Sequence, residues 1–553
     1  MSIRHLDDLF EPASVAVIGA STREGSVGYT LWRNLRGGSF KGPLWPVNLR
    51  HAKVQGDKTY ARIADLPAAP ALAVICTPPA SVPGLIAELG ARGTRAAIVV
   101  TAGLSRDERQ AMLDAARTHV LRILGPNCLG LLSPPVGLNA SFAPGDIGAG
   151  TLAFVSQSGA LATAVLDWSR ARGIGFSRVV SLGEAADVDF GDMLDWLASD
   201  AKTRAVLLYA ESLTSARKFM SAARAAARNK PVLVVKAGRS NAGQRAAASH
   251  TGALAGSDLV VDAALRRAGM LRVSTLQDLF VAAETLTRFK PMLRQDAETL
   301  ARVTLVTNGG GAGVLAADAA AAQGLELAPL PAPALAALDA TLPPNWSRAN
   351  PVDIIGDAPV ERYVQTLSAL LAVPDSGTVL FMHAPTAIVP ARAIAAALVP
   401  LAQQYPGRLA SCWLGHGAVA EARALFIEAG IPVYDTPEQA VQALTMLVDY
   451  RRNQEQLLEA PADPAPALPT DARALPGARP AARKGELPDA PPGPPRDAAD
   501  PTCPTVRALV DGALAAGREW LTEPESKKLL AACGVPVVPT RSVIASPIAA
   551  VAA

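Results

Sequence analysis

Aromatic residues are scarce in this chain, at 5%, and charged residues make up only 18%, below the ~25% of an average soluble protein. Half of the residues are hydrophobic, so Ala and the aliphatic side chains must build the interior, and a chain disordered throughout is excluded. Neither sign of charge dominates: 52 Lys and Arg stand against 49 Asp and Glu, a net charge of +3. That balance calls for no nucleic-acid or membrane-surface partner. Cysteine is rare too. Cys76, Cys128, Cys412, Cys503 and Cys533 are far apart and odd in number, with no CxxC and no Cys/His cluster. This argues against a disulfide scaffold or a zinc module, and predicts cytosolic thiols and no metal site. No uninterrupted run of about 18 apolar residues occurs, so no membrane-spanning helix is expected. Asp7 and Asp8 put acid where a secretory signal needs an apolar run. A cytoplasmic location is expected.

The chain has 553 residues, which at roughly 150 per domain suggests three to four domains. Short continuous apolar runs predict strands at Ser14–Ile18, Leu44–Val47, Ala71–Cys76, Ala96–Val100 and Leu121–Leu124. A second series begins near Gly150, with strands at Thr151–Val155, Arg178–Ser181, Ala205–Tyr209 and Pro231–Val235 and helices at about 159–172, 190–199, 215–228 and 257–268. A third opens at Arg302–Thr307 and continues through Thr378–Met382, Leu409–Leu414 and Pro432–Tyr434. Continuous rather than alternating runs suit parallel strands covered on both faces, and strands separated by helices predict doubly wound α/β domains in tandem. Residues 461–501 break the rhythm, with 12 Pro and no aromatic residue. Such a segment buries too little apolar surface to fold and reads as a semi-extended linker. Beyond it, Pro504–Ala516 and Glu523–Cys533 read as helices and Val535–Ile544 as strand-like.

The turns after the predicted strands carry the candidate chemistry. Gly19-Ala20-Ser21-Thr22-Arg23-Glu24-Gly25-Ser26-Val27-Gly28 follows a strand and opens a helix, where free N–H groups favour a phosphate. Its spacing is not GxGxxG, and Asn48-Leu49-Arg50 stands where a ribose-binding acid would be. Arg50 therefore favours an extra phosphate, as in coenzyme A. Thr77-Pro78, Thr101 and Gly125-Pro126-Asn127-Cys128 sit at the carboxyl ends of further strands, the ligand-binding edge of open α/β sheets. Cys128 has no nearby His and reads as a small buried residue. Ser156-Gln157-Ser158-Gly159-Ala160 lies between a strand and a helix and lacks the GxSxG of a hydrolase, so a phosphate cradle is the better reading. His250 stands in a long small-residue stretch, Ala248-Ser249-His250-Thr251-Gly252-Ala253, read as a loop. A neutral imidazole there can act as a nucleophile towards phosphorus. Glu211, at a strand end in Tyr209-Ala210-Glu211-Ser212, can bond such an imidazole and fix its tautomer. Thr307-Asn308-Gly309-Gly310-Gly311-Ala312-Gly313 and Asn350-Pro351-Val352-Asp353 lie in the third region, and four Gly in five positions permit close backbone approach. Among the remaining histidines only His416, in Gly415-His416-Gly417, has a loop context.

These motifs, in this order, resemble the acyl-CoA synthetases (NDP-forming), the family of ADP-forming acetyl-CoA synthetase and a relative of succinyl-CoA synthetase. The resemblance covers about residues 5–450 and resumes near 505. It implies a Rossmann-like CoA-binding domain over 1–135, a succinyl-CoA ligase-like domain with a phosphohistidine loop over 148–295, and a second flavodoxin-like domain over 300–452. A Pro/Ala-rich linker over 459–503 and an incomplete ATP-grasp start over 504–553 would follow. It implies His250 as the phosphohistidine and Glu211 as its carboxylate partner. Ser156, Gln157, Ser158, Gly159 and Ala160 would hold the phosphate, and Gly19, Ser21, Arg23, Ser26, Val27, Asn48, Arg50, Thr77, Pro78, Thr101 and Asn127 would hold CoA. The implied activity is acetate–CoA ligase (ADP-forming), through an acyl phosphate. ATP, ADP and Mg would enter only through an ATP-grasp module, and Leu521–Leu530 resembles that module's first helix. With the sequence ending at Ala553, a truncated product or a separate ATP-grasp subunit is expected, as is an oligomer. Two other readings compete: a non-catalytic CoA- or acyl-CoA-binding regulatory module of an acyltransferase, and a nicotinamide dehydrogenase. The missing GxGxxG disfavours the second.

Overall fold

The computed structural model describes residues 3–171, 173–251, 257–288, 292–459, 504–518, 520–533, 535, 537 and 538, with the backbone alone at 171, 247–251, 287, 288 and 293. Met1–Pro461 and Ala462–Ala553 are two separate units. In the first, each predicted strand is present, its ends shifted by a few residues at most.

The first sheet joins β1 (Val15–Ile18), β2 (Leu44–Val47), β3 (Leu72–Ile75), β4 (Ala96–Val99) and β5 (Arg122–Leu124), all parallel, in the order β2-β1-β3-β4-β5. Ile18 pairs with both Val47 and Ile75, so the turns after these strands emerge together at one edge. β1, β3 and β4 are buried at every position, as continuous aliphatic runs between two helix layers require.

The second sheet holds β6 (Gly130–Ser133), β7 (Leu138–Ser141), β8 (Ala149–Ser156), β9 (Phe176–Ser181), β10 (Ala205–Ala210), β11 (Val232–Lys236) and β12 (Leu271–Val273), in the order β12-β11-β10-β8-β9-β6-β7. β8 to β12 are parallel, and the β6–β7 hairpin is antiparallel, with Leu132 opposite Val179 of β9. The sequence expectation ran the first domain to residue 135 and missed this hairpin. β6 belongs to the second sheet because Leu131 and Leu132 pair with Val180 and Val179 of β9, and Gly130, at φ +106°, lies so close to β7 that a Cβ would stand 2.2 Å from the Ala140 carbonyl oxygen. The third sheet, β13 (Val303–Thr307), β14 (Val352–Asp353), β15 (Thr378–His383), β16 (Leu409–Trp413) and β17 (Val433–Tyr434), has the order β14-β13-β15-β16-β17 and is parallel. Taken in chain order, the parallel strands of all three sheets follow the doubly wound pattern 2-1-3-4-5, which places a crevice beside the first strand at the carboxyl edge.

The first two sheets share a core. Leu6, Leu9 and Phe10 pack in one cluster with Val15, Val17, Trp196 and Leu197. Arg178 on β9 is fully buried, stacks on Phe10 and Trp196, and pairs with Glu11 at 2.8 Å and Asp200 at 3.6 Å. The N-terminal segment is thereby fixed against the second sheet, which also sets the relation between the sheets.

In the second unit, Pro504–Ala515 and Glu523–Ala532 are helices. Thr522 and Glu525 form a capping box, and Arg518 and the Thr522 backbone hold the Glu525 carboxyl down to about 2. Val535, Val537 and Val538 carry no strand, so the strand-like reading is not met at the described positions. Residues 460–503, the linker and Cys503 among them, and 539–553 lie outside the described residues. No described helix is long and apolar enough to cross a membrane.

Candidate active-site cleft

At the carboxyl edge of β1, Gly19 takes φ +99° and α1 (Val27–Gly37) begins against it. A Cβ on Gly28 would stand 2.1 Å from the Gly19 carbonyl oxygen, so the turn and the helix start require this glycine pair. Ser26 caps α1: its Oγ accepts from the Tyr29 N–H at 3.3 Å and donates to the Arg23 carbonyl at 2.6 Å. Ser21 Oγ accepts from the Arg23 N–H at 3.1 Å. Asn48 spends its amide on the backbone, donating to Ala20 O at 2.7 Å and accepting from the Arg50 and His51 N–H groups at 2.7 and 2.9 Å. It stitches two turns together instead of presenting a free amide. Arg50 and Pro78 are exposed.

The next turns converge. Thr101 Oγ1 donates to Thr77 O at 2.7 Å, and the Asn127 N–H donates to Thr101 O at 2.9 Å. Asn127 follows the cis Gly125-Pro126 bond at φ +55° and exposes its side chain. Cys128 is buried under it with its thiol on Val99 O, and burial pushes both it and Cys76 up to about 12. Neither is a thiolate near neutral pH.

From the second sheet, β8 ends at Ser156 and α2 (Gly159–Ala171) begins. Ser158 caps α2, its Oγ accepting from the Leu161 N–H at 3.3 Å, while Ser156 Oγ bonds both ends of the Ser158 residue. The Gly159 and Ala160 N–H groups fall in the first turn, where no intrahelical acceptor exists, and together with the helix dipole they suit a phosphate. Gln157 departs from the expected cradle role. Its Oε1 accepts from the Glu211 N–H at 2.5 Å and the Ser212 N–H at 2.9 Å, and its Nε2 donates to Ser212 Oγ at 3.2 Å. It ties the Glu211 turn to the turn that opens α2. Tyr209, two residues before Glu211, has its hydroxyl pushed up by burial and then by the Glu211 charge.

One cleft of about 1040 Å³ collects these parts. Val27, Thr77, Thr101 and Asn127 line it from the first sheet, and Gln157, Ser158, Gly159, Ala160 and Glu211 from the second. Gly19, Ser21, Arg23, Ser26, Asn48, Arg50, Pro78 and Ser156 do not line it. The sequence reading missed Arg109, Phe142, Thr163 and Glu184, which do. Phe142 follows the unforeseen β6–β7 hairpin, Arg109 and Thr163 sit within helices and Glu184 in the turn after β9, where the local pattern signals no site.

The His250 side chain lies outside the described residues, as do residues 252–256. Its backbone belongs to a helix, α3 (Asn241–Thr251), where a loop was expected. Gln244, Arg245 and four Ala residues favour that helix, and Ser240 starts it, its Oγ accepting from the Gly243 N–H at 3.1 Å. In the third sheet, Asn308 clasps Ala384 with two bonds of 2.8 and 2.9 Å, and Asn350 binds Val303 O, Ala328 O and the Leu305 N–H. Both are structural ties in this region. His416 is exposed. Among the described residues, no group of three or more His, Cys, Asp and Glu is placed to hold a metal ion.

The family descriptions that match are the CoA binding domain over residues 13–134, the succinyl-CoA ligase like flavodoxin domain over 149–286 and the Ligase-CoA domain over 303–456. The alpha subunit of acetate–CoA ligase [ADP-forming] I from Pyrococcus furiosus is 37% identical over 462 residues, covering 81% of this chain and 98% of that one. Acetate–CoA ligase [ADP-forming] I from Archaeoglobus fulgidus is 37% identical over 81% of this chain, which spans 64% of that longer protein. The solved dinucleotide-forming acetyl-coenzyme A synthetase 1 of Ca. Korarchaeum cryptofilum, in complex with phosphate and ADP, superposes with a TM-score of 0.73 at 34% identity, over 82% of this chain and 98% of that one. The order of its domains, the cleft between its first two sheets and these relatives agree: the chain belongs to the NDP-forming acyl-CoA synthetase family.

Proposed function

We propose that this chain is the CoA- and acyl-handling core of an ADP-forming acetate–CoA ligase, working through an acyl phosphate and a phosphohistidine at His250. The observation that carries the reading is the single cleft in which first-sheet loops face the Ser158–Ala160 helix start and Glu211. In this reading the carboxylate oxygen of the acid attacks the phosphorus of phosphohistidine, the P–N bond breaks, and acyl phosphate forms. The CoA sulfur then attacks the acyl carbon, the C–O bond to phosphate breaks, and inorganic phosphate leaves. Positioning supplies most of the rate in such a step, since a thiolate is already a good nucleophile towards an activated carbonyl. The helix-start N–H groups hold the phosphoryl oxygens, and Glu211 accepts the imidazole N–H to fix its tautomer and offset its charge. Cys76 and Cys128, held protonated by burial, take no covalent part.

The phosphoryl group enters His250 from ATP on an ATP-grasp module that also supplies Mg, either a partner subunit or a further domain. The alpha-subunit relative, matched over 98% of its length, supports a partner. Incubation of the chain with phosphoryl-labelled acetyl phosphate tests the reading. Acid-labile label should appear in the wild type and vanish in His250→Ala, with Glu211→Gln reducing it. CoA binding without any label would instead favour a purely regulatory module.

A further inference from the structure

A cleft that handles phosphoryl groups needs positive charge, and the helix-start N–H groups carry only partial charge. Among the described residues that line it, the acidic side chains are Glu184 and Glu211, and Arg109 is the one basic side chain. Arg109 sits in the first turn of the helix Arg106–His119, which starts with a capping box of Ser105 and Glu108. The helix dipole opposes a cation at that end, so helix stability does not account for it. The capping bonds, 2.8 and 3.2 Å, fix the turn that carries it.

Glu184 approaches from the second sheet and is fixed just as independently. Gly183 lies so close to the Gly125–Asn127 turn that a Cβ would stand 2.3 Å from Pro126 O. The Glu184 and Ala186 N–H groups donate to Pro126 O and Gly125 O, each at 3.0 Å. The two side chains meet at 3.4 Å, 43% and 31% exposed. A pair so exposed is screened by water and weak, so an anion presenting several oxygens can take the guanidinium from it.

We infer that Arg109 binds the phosphoryl group of the small substrate, an acyl phosphate or inorganic phosphate, and that Glu184 is its internal competitor. The inference rests on the proposed function for its substrate class. It predicts opposite signs for two variants that both remove the same ion pair. Arg109→Gln removes the anion's partner, and Glu184→Gln removes the competitor.

The experiment is calorimetric titration of the full chain and each variant with inorganic phosphate, acetyl phosphate and CoA. Arg109→Gln should weaken phosphate and acetyl phosphate by about tenfold, Glu184→Gln should tighten both by roughly threefold, and CoA should stay within about twofold in both. If Glu184→Gln weakens the phosphates as Arg109→Gln does, the pair is only a clamp on the cleft rim and the inference falls. It falls equally if neither variant changes the phosphates, or if CoA responds in their place. Loss of CoA binding by the wild type would overturn the proposed function alone, because the phosphate titrations still decide the role of Arg109.

Discussion

Replacing Gln157 by Leu keeps the side-chain volume nearly constant but strips three hydrogen bonds from the Glu211 turn: those of the Glu211 and Ser212 N–H groups at 2.5 and 2.9 Å, and that to Ser212 Oγ at 3.2 Å. Only the orientation with Oε1 towards the two N–H donors satisfies all three, so the assignment of the amide is fixed by its partners. Each orphaned N–H costs about 1–3 kcal/mol when buried. Gln157, Glu211 and Ser212 are partly exposed, so the low end applies, about 2 kcal/mol for the two N–H groups together. That corresponds to a roughly 30-fold drop in hydrogen-exchange protection confined to the Glu211 and Ser212 amides. Gln157→Glu keeps an oxygen acceptor and should preserve most of the protection, while placing a second carboxylate beside Glu211 and the phosphate turn. Both variants should lower labelling of His250 by acetyl phosphate and leave CoA binding intact. Unchanged protection at residues 211 and 212 in Gln157→Leu would refute the clamp, and lost CoA binding would show that the damage is general.

Other expectations follow from particular residues. Gly28→Ala drives a Cβ to within 2.1 Å of Gly19 O, backbone against backbone, and should cost about 3 kcal/mol in urea unfolding and abolish CoA binding. Gly84→Ala, in a helix with nothing within 4 Å, should instead stabilise by about 0.5–1 kcal/mol and leave CoA binding alone. His383 is fully buried beside Tyr363, and burial lowers it from 6.5 to about 4. The unfolded chain gains its proton first as pH falls, so stability is complete above about 6.5 and is lost on the way down to about 4, by roughly 3 kcal/mol. Urea midpoints at pH 7.5 and 4.5 should show a smaller drop in His383→Phe than in the wild type; equal drops would contradict it. Cys128, pushed from 9.0 up to about 12, should resist iodoacetamide at pH 8 until the protein unfolds. Its contribution to stability is complete below about pH 9 and declines above it, because the unfolded thiol loses its proton first.

The sheets were legible because their central strands are continuous aliphatic runs with one stable environment, buried on both faces; Leu72–Ile75 and Ala96–Val99 are examples. The β6–β7 hairpin was not legible. Leu138-Asn139-Ala140-Ser141 mixes polar and apolar residues, and its polar side chains are buried through bonds to one another and to Asp146 and Ala143. That pairing is tertiary and leaves no local period to read. The helix through His250 shows the converse error: small residues suggested a loop, but Ala is the strongest helix former.

The same distinction divides the site. Turns that follow strands can be read one by one, and Val27, Thr77, Thr101, Asn127 and the Ser158–Ala160 helix start do line the cleft. Which side chain faces which partner cannot be read so, because it depends on strand order. Gln157 meets Ser212, 55 positions away, because β8 and β10 are neighbours and Ser156 pairs with Tyr209. Arg109 meets Glu184, 75 positions away, because the turn after β9 lies against the turn after β5. Asn48 looked like a ligand donor for the same reason that it is a good stitch, an amide at a strand end with both a donor and an acceptor to offer. The local pattern therefore marks where chemistry can occur, and the order of strands decides which of the marked side chains remain free to perform it.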